Sequence, residues 1–277
     1  MTRWTVRTDG ATIAVFQYGN PDAENTVLLV HGYPDDHRLF LPLIDALGDR
    51  VRIIAYDTRG GGDTVVDDPD SLRSFTLPRL AEDVFAVVDS IPAQRTPIHV
   101  FAHDWGSVQM WEAMSAPRAA STFASYTSVS GPSLDHLRQL ARARAVVLSR
   151  WPSVISQLAR SWYIWGFHVP VLSRRIPRLL AAAGYFEDAP PRSPENQRRG
   201  IALYRANVVA RLVGGPAAVC VVPTTIVAPR RDRFLAPDLT DAVHDWVSEV
   251  EVVAVDAGHW WPYAHPGDAA QLLLSRM

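Results

Sequence analysis

A chain of 277 residues, 48% of them hydrophobic, is long enough to bury one large core, with or without an insertion. Its formal net charge of −2 gives no sign of a nucleic-acid or anionic-membrane surface. All 27 basic residues are arginine and are scattered, and the single cysteine, Cys220, excludes an intrachain disulfide and a multi-cysteine metal site.

From the N-terminus, residues 3–8 and 11–18 alternate as two strands joined by the hairpin signal Asp9-Gly10. This start lacks the apolar core of a signal peptide, and no later run approaches the ~18–20 apolar residues of a membrane span, so a soluble, cytoplasmic protein is expected. TVLLVHG (26–32) and RIIAYD (52–57) are continuous apolar runs of the kind that form fully buried parallel strands. The loop TRGGGDT follows the second. A helix is predicted over 77–91, with Leu80, Val84, Val87 and Val88 along one face. A strand over 98–104 runs into a helix that includes Val108 to Met114, and another strand covers 123–131.

At Gly131-Pro132 the texture changes. Residues 133–217 are rich in Arg, Leu and Ala and hold no Val/Ile strand run, while 139–151 and 173–184 read as short helices and 187–197 as a Pro-rich loop. Strand patterns return at 219–229 and 250–258. The expected organisation is an α/β core over 1–132 and 218–277, built on a mostly parallel sheet flanked by helices, with an inserted helical lid over 133–217.

Three residues stand just after predicted strands: Asp104, Asp232 and His259. Functional groups gather at the carboxyl ends of strands in open α/β sheets. The order nucleophile, acid, histidine is that of the α/β-hydrolase triad, and Ala102, Asp104 and Gly106 give the small-x-nucleophile-x-small pattern of its sharp strand-to-helix turn. Singly, Asp104 would read as a helix N-cap and Asp232 as a solvated loop carboxylate. Their joint order and placement favour the triad. An aspartate needs no base to activate it; it suits attack on a saturated carbon and forms an ester of its own side chain. The histidine then activates water against that ester while the second aspartate orients the imidazole.

The chain resembles the α/β-hydrolase epoxide hydrolases, close relatives of the haloalkane dehalogenases. The resemblance rests on His31-Gly32-Tyr33-Pro34-Asp35, the segment from Asp57 to Thr64, His103-Asp104-Trp105-Gly106, Asp232, and Gly258-His259-Trp260. The HDWGS turn is especially similar to the hydrolase half of actinobacterial proteins fused to a short-chain dehydrogenase; with the chain ending at Met277, no dehydrogenase half is expected in it. Ala102 stands where many relatives have Gly. The resemblance implies oxyanion donors in the backbone N–H groups of Tyr33 and Trp105. It implies lid tyrosines assisting the epoxide oxygen, with Tyr163 in a Y-x-x-x-F segment ending at Phe167 and Tyr204 in Leu203-Tyr204-Arg205. Pro34, Trp105, Trp162, Phe167 and Trp260 are expected to line an apolar pocket, with Trp165 and Trp261 near it. His103 is expected to pack behind the turn.

The function so implied is hydrolysis of a small apolar epoxide by water to a vicinal diol, without cofactor or metal and without a nucleic-acid partner; an assembly of identical chains is left open. The alternative is a haloalkane dehalogenase on the same triad. Trp105 could hold a halide, but position 33 is Tyr where such enzymes typically carry Asn, and Trp162 and Trp165 would have to substitute. A non-catalytic small-molecule receptor is disfavoured by the complete triad.

Overall fold

The computed structural model describes residues 1–92, 98–214, 217 and 219–277. Its described strands form one nine-stranded sheet: β1 (Thr2–Thr8), β2 (Ala11–Gly19), β3 (Thr26–Val30), β4 (Arg52–Tyr56), β5 (Val65–Val66), β6 (Ile98–His103), β7 (Phe123–Val129), β8 (Thr224–Pro229) and β9 (Val250–Val255). The spatial order is β1-β2-β4-β3-β6-β7-β8-β9, with β5 beside β2. β1 and β2 form an antiparallel hairpin, with Thr8 opposite Ala11, and β2 runs antiparallel to β4. From β4 to β9 every pairing is parallel, with Thr26 of β3 between Arg52 and Ile98 and Thr224 of β8 opposite Val250.

The apolar runs have a direct cause. Every residue of β3, β4 and β6 is buried because helices cover both faces of the sheet. Successive strand side chains point to opposite faces. Val27 and Leu29 therefore join a layer with Leu43 and Leu47 of α1 (Leu41–Leu47), whereas Leu28 and Val30 join Val84 and Val87 of α2 (Leu77–Asp89). The second layer also takes in α3 (Trp105–Met114) and, through Ala119, the short α4 (Ala119–Thr122).

Between β7 and β8 the chain leaves the sheet as helices: α5 (Leu134–Ala145), α6 (Trp151–Arg160), α7 (Trp162–His168), α8 (Pro170–Ser173), α9 (Ile176–Ala182), α10 (Pro194–Arg199) and α11 (Ile201–Val213). The end of the expected lid, 215–216, and residue 218 lie outside the described residues. After β9 come α12 (Trp261–Ala264) and α13 (Pro266–Leu274), whose Ala269 and Leu273 join the α1 layer.

The strand expected over 219–229 begins at Thr224; Pro223, without an N–H, stands before its start. Before it, Cys220 makes only an isolated bridge to Val247. The strands expected over 123–131 and 250–258 end at Val129 and Val255, and the helix over 77–91 at Asp89. No helix of the described chain is long and apolar enough to cross a membrane.

Candidate active site

The turn from β6 into α3 carries Asp104 at φ 52°, ψ −124°, a left-handed conformation that costs a non-glycine residue about 1–3 kcal/mol. Neighbouring backbone holds it there. The Asp104 N–H donates to the Val129 carbonyl at 2.9 Å, and its own carbonyl accepts from Val108 N–H at 3.0 Å. Gly106 lets α3 start this close to β3, since a Cβ there would sit 2.1 Å from the Val30 carbonyl oxygen. Although Asp104 occupies the N-cap position of α3, its side chain caps nothing. Its Oδ1 accepts instead from the Tyr33 backbone N–H at 2.7 Å. The Trp105 amide nitrogen lies on the same side, because a Cβ on Gly32 would meet both it and Asp104 Oδ1 at 2.4 Å.

With Oδ1 so held, Oδ2 faces His259, whose Nε2 lies 3.6 Å away. His259 follows β9, and its Nδ1 is 2.8 Å from Oδ2 of Asp232, which follows β8. The other oxygen of Asp232 accepts the backbone N–H groups of Phe234 (2.7 Å) and Leu235 (3.1 Å). The side chain of Asp104 is 17% exposed, against 4% for His259 and 1% for Asp232. The carboxylate with access is thus the one on the strained turn.

The charges follow from this packing. Burial alone would lower the pKa of His259, but Asp232 and Asp104, one on each side of the ring, outweigh it and hold the imidazole up to about 10. Burial opposes ionisation of Asp232 too; the charge of His259 and its hydrogen bonds overcome that and keep the carboxyl below its usual value. His103 is fully buried, with its Nε2 3.0 Å from the His259 carbonyl oxygen; burial, with the nearby His259, presses it down to about 4.

Tyr163 of α7 and Tyr204 of α11 are both buried, with ring centroids 6.0 Å apart. Tyr204 lies edge-on to Trp105 at 4.8 Å and to Tyr33 at 5.3 Å, and Phe167 packs against Tyr33, Tyr163 and Tyr204. Burial first, and the Asp104 carboxylate as well, raise both phenol pKa values, so both remain neutral O–H groups. Tyr33 reaches outward too, its hydroxyl donating to the Gln197 carbonyl at 3.0 Å.

The expected pocket residues divide. Trp105, Phe167 and Trp260 are buried around the triad and tyrosines, Trp260 lying 4.6 Å from the His259 ring. Pro34, joined to Tyr33 by a cis peptide bond, is buried and lines a cleft of roughly 460 Å³ with Arg192 and Tyr263. Trp162 is a correction: its side chain is on the outside of α7, 39% exposed, and Trp165 is 49% exposed. Adjacent helical residues point about 100° apart, so burial of Tyr163 turns Trp162 away.

Sequence reasoning missed three neighbours of the triad. The Phe234 ring lies 4.7 Å from that of His259, with nothing in its local sequence to mark it. Arg160 of α6 donates to the Asp232 carbonyl at 2.7 Å. Asp35, quoted only as part of a motif, is buried, accepts from Trp260 Nε1 at 2.9 Å, and has its pKa raised by burial to about 7.

A profile of the alpha/beta hydrolase family matches residues 27–272. The chain is 34% identical over 290 aligned residues to "Probable oxidoreductase EphD" of Mycobacterium tuberculosis, covering 96% of this chain and 48% of that protein; it thus spans about half the length of that relative. It is 32% identical over 126 residues to "Epoxide hydrolase A" of the same organism, covering 44% of this chain and 38% of that one. Among solved structures it is similar to a Bacillus megaterium epoxide hydrolase in complex with an inhibitor (TM-score 0.75, 17% identity, 99% of each chain). A Solanum tuberosum epoxide hydrolase variant gives a TM-score of 0.74 at 20% identity, covering 99% of this chain and 98% of that one. At such identities the structural likeness speaks for the fold, and the profile match speaks for descent: the chain belongs to the alpha/beta hydrolase family.

Proposed function

We propose that this chain hydrolyses an apolar epoxide to a vicinal diol through an ester of Asp104. Oδ2 attacks an epoxide carbon, the C–O bond of the ring breaks, and a phenol of Tyr163 or Tyr204 gives its proton to the departing oxygen. The phenolate left by the first step takes its proton back from the His259 imidazolium, which leaves the ring neutral for the water. Water then attacks Cγ of the ester and passes a proton to His259 Nε2, while the tetrahedral oxygen, Oδ1, rests on the N–H groups of Tyr33 and Trp105. Collapse then breaks the Cγ–Oδ2 bond, and the departing diol oxygen Oδ2 takes the proton of the new carboxylic acid, restoring the Asp104 carboxylate and the protonated His259. Residues 133–217 act as the lid over this site, the core being 1–132 and 218–277.

The observation that carries this reading is the pair of buried tyrosines from two lid helices beside the Asp104 carboxylate. An alkoxide is a poor leaving group near neutral pH and needs a proton donor; a halide needs none. The dehalogenase alternative loses its substitutes for the second halide donor, because Trp162 and Trp165 are exposed.

The test offers the protein a styrene-oxide-type epoxide and, separately, a 1-haloalkane. Diol from the first with no halide from the second supports the proposal, and the reverse result overturns it. With a verified substrate, His259→Gln should accumulate the ester, one substrate mass on the peptide containing Asp104. Unmodified protein after prolonged incubation would remove the covalent step.

A further inference from the structure

A net charge of −2 conceals a segregated distribution. From His136 to Phe186 there is no Asp or Glu and there are eight arginines, leaving nineteen arginines against 29 acidic residues for the rest of the chain. Within the stretch, Arg138 pairs with Asp135 and Arg144 with Asp238. The other six have no carboxylate partner among the described residues, and of these Arg142, Arg150, Arg174, Arg175 and Arg178 are exposed.

The same stretch carries an apolar stripe. Trp151, Ile155, Leu158, Trp162, Trp165 and Val169 recur at intervals of four and three, the spacing of one helix face, and each is between 39% and 59% exposed. α6 buries none of its residues. Only Ser161, at φ −91° and ψ 7°, separates α6 from α7, and its N–H still bonds back to the Gln157 and Leu158 carbonyls, so the two helices follow one another directly. Single exposed apolar side chains are ordinary; a contiguous row with three tryptophans marks a contact surface.

Charge selects the occupant. A second copy docked face to face would bring the same arginines together with no acid in the segment to meet them. An anionic bilayer supplies the complement: tryptophan rings sit at the level of the lipid head groups, arginine stems lie along apolar surface with their charges toward phosphate, and a short amphipathic helix lies in the plane of the interface. α6 and α7, at 10 and 7 residues, are too short to span.

We propose that the α6–α7 face docks on the surface of a membrane containing anionic lipids, with its stripe in the boundary between head groups and acyl chains, and that the exposed arginines of the neighbouring elements, Arg142 of α5, Arg150 before α6, Arg174 and Arg175 after α8 and Arg178 of α9, meet the lipid charges. The inference is independent of the reaction assigned to the active site.

Sedimentation of the whole chain with phosphatidylcholine vesicles, and with vesicles containing roughly one third phosphatidylglycerol, tests it. Binding is expected to the anionic vesicles and to weaken steeply with salt. Replacing Arg174, Arg175 and Arg178 together by Gln should lower the partition coefficient by roughly a hundredfold. Ile155→Ser with Leu158→Ser should weaken binding with an unchanged thermal melt, since both side chains are exposed. Absence of vesicle binding, or binding that neither set of substitutions alters, overturns the proposal. So does a dimer that needs Ile155 and Leu158 and ignores vesicles, which would make the face a contact between copies of the chain.

Discussion

His259 stands between two carboxylates, and its charge depends on both. In the free protein Asp232 and Asp104 hold its pKa at about 10, so the ring carries a proton at neutral pH and cannot yet accept one. Esterification of Asp104 would remove one of those two negative charges and release the ring toward its neutral form as the base is needed. Asp104→Asn imitates that neutral carbonyl group. It should lower the His259 pKa, read by NMR titration of the imidazole; an unchanged value would show that Asp104 does not set it. The tyrosines allow a second test at this scale. Either Tyr163→Phe or Tyr204→Phe leaves one donor, so reduced activity should remain. The double variant should lose about 10²–10³ in rate for each donor, with the loss in ester formation and not in its hydrolysis. Normal ester formation in a folded double variant would remove the reason for preferring an epoxide over a halide.

The turn between β6 and α3 is the element on which the site depends. Gly106→Ala places a methyl group 2.1 Å from the Val30 carbonyl oxygen, and backbone inside a sheet has little room to yield. A loss of about 3 kcal/mol is expected, measured by denaturant unfolding, with activity falling as the turn is displaced. Much at this scale was legible in the sequence. β3 and β6 read clearly because both faces of the sheet are covered, leaving unbroken apolar runs. Asp104, Asp232 and His259 were found by their order and their places after strands. The tyrosines rested on resemblance, since a buried Tyr on a helix carries no signal of its own. What could not be read was set by tertiary contact. β5 has two residues, too few to show a period, and the outward turn of Trp162 follows from which side of α7 meets the core. Phe234 reaches His259 only because the loop after β8 folds around the Asp232 carboxylate.

For the whole molecule, the triad couples stability to pH. The folded pKa of His259, about 10, lies above its unfolded value near 6.5, so the native state binds the proton more tightly. Its contribution is complete below about pH 6.5 and is lost as pH rises toward 10. Thermal melts should therefore fall across that window, and His259→Gln should flatten the decline; an equal slope in the variant would assign it to other groups. Tyr33 is one of several residues through which the sheet region and the helical segment meet. Tyr33 gives its backbone N–H to Asp104 Oδ1 and its hydroxyl to the Gln197 carbonyl, and Gly200 packs so closely on its ring that a Cβ there would lie 2.5 Å away. A displacement of the helices at Gln197 must break the hydroxyl contact or drag the ring, and the ring is joined to the amide that fixes Asp104 Oδ1. Tyr33 thus works as a latch, tying the position of α10 at Gln197 to the backbone amide that holds Asp104 Oδ1.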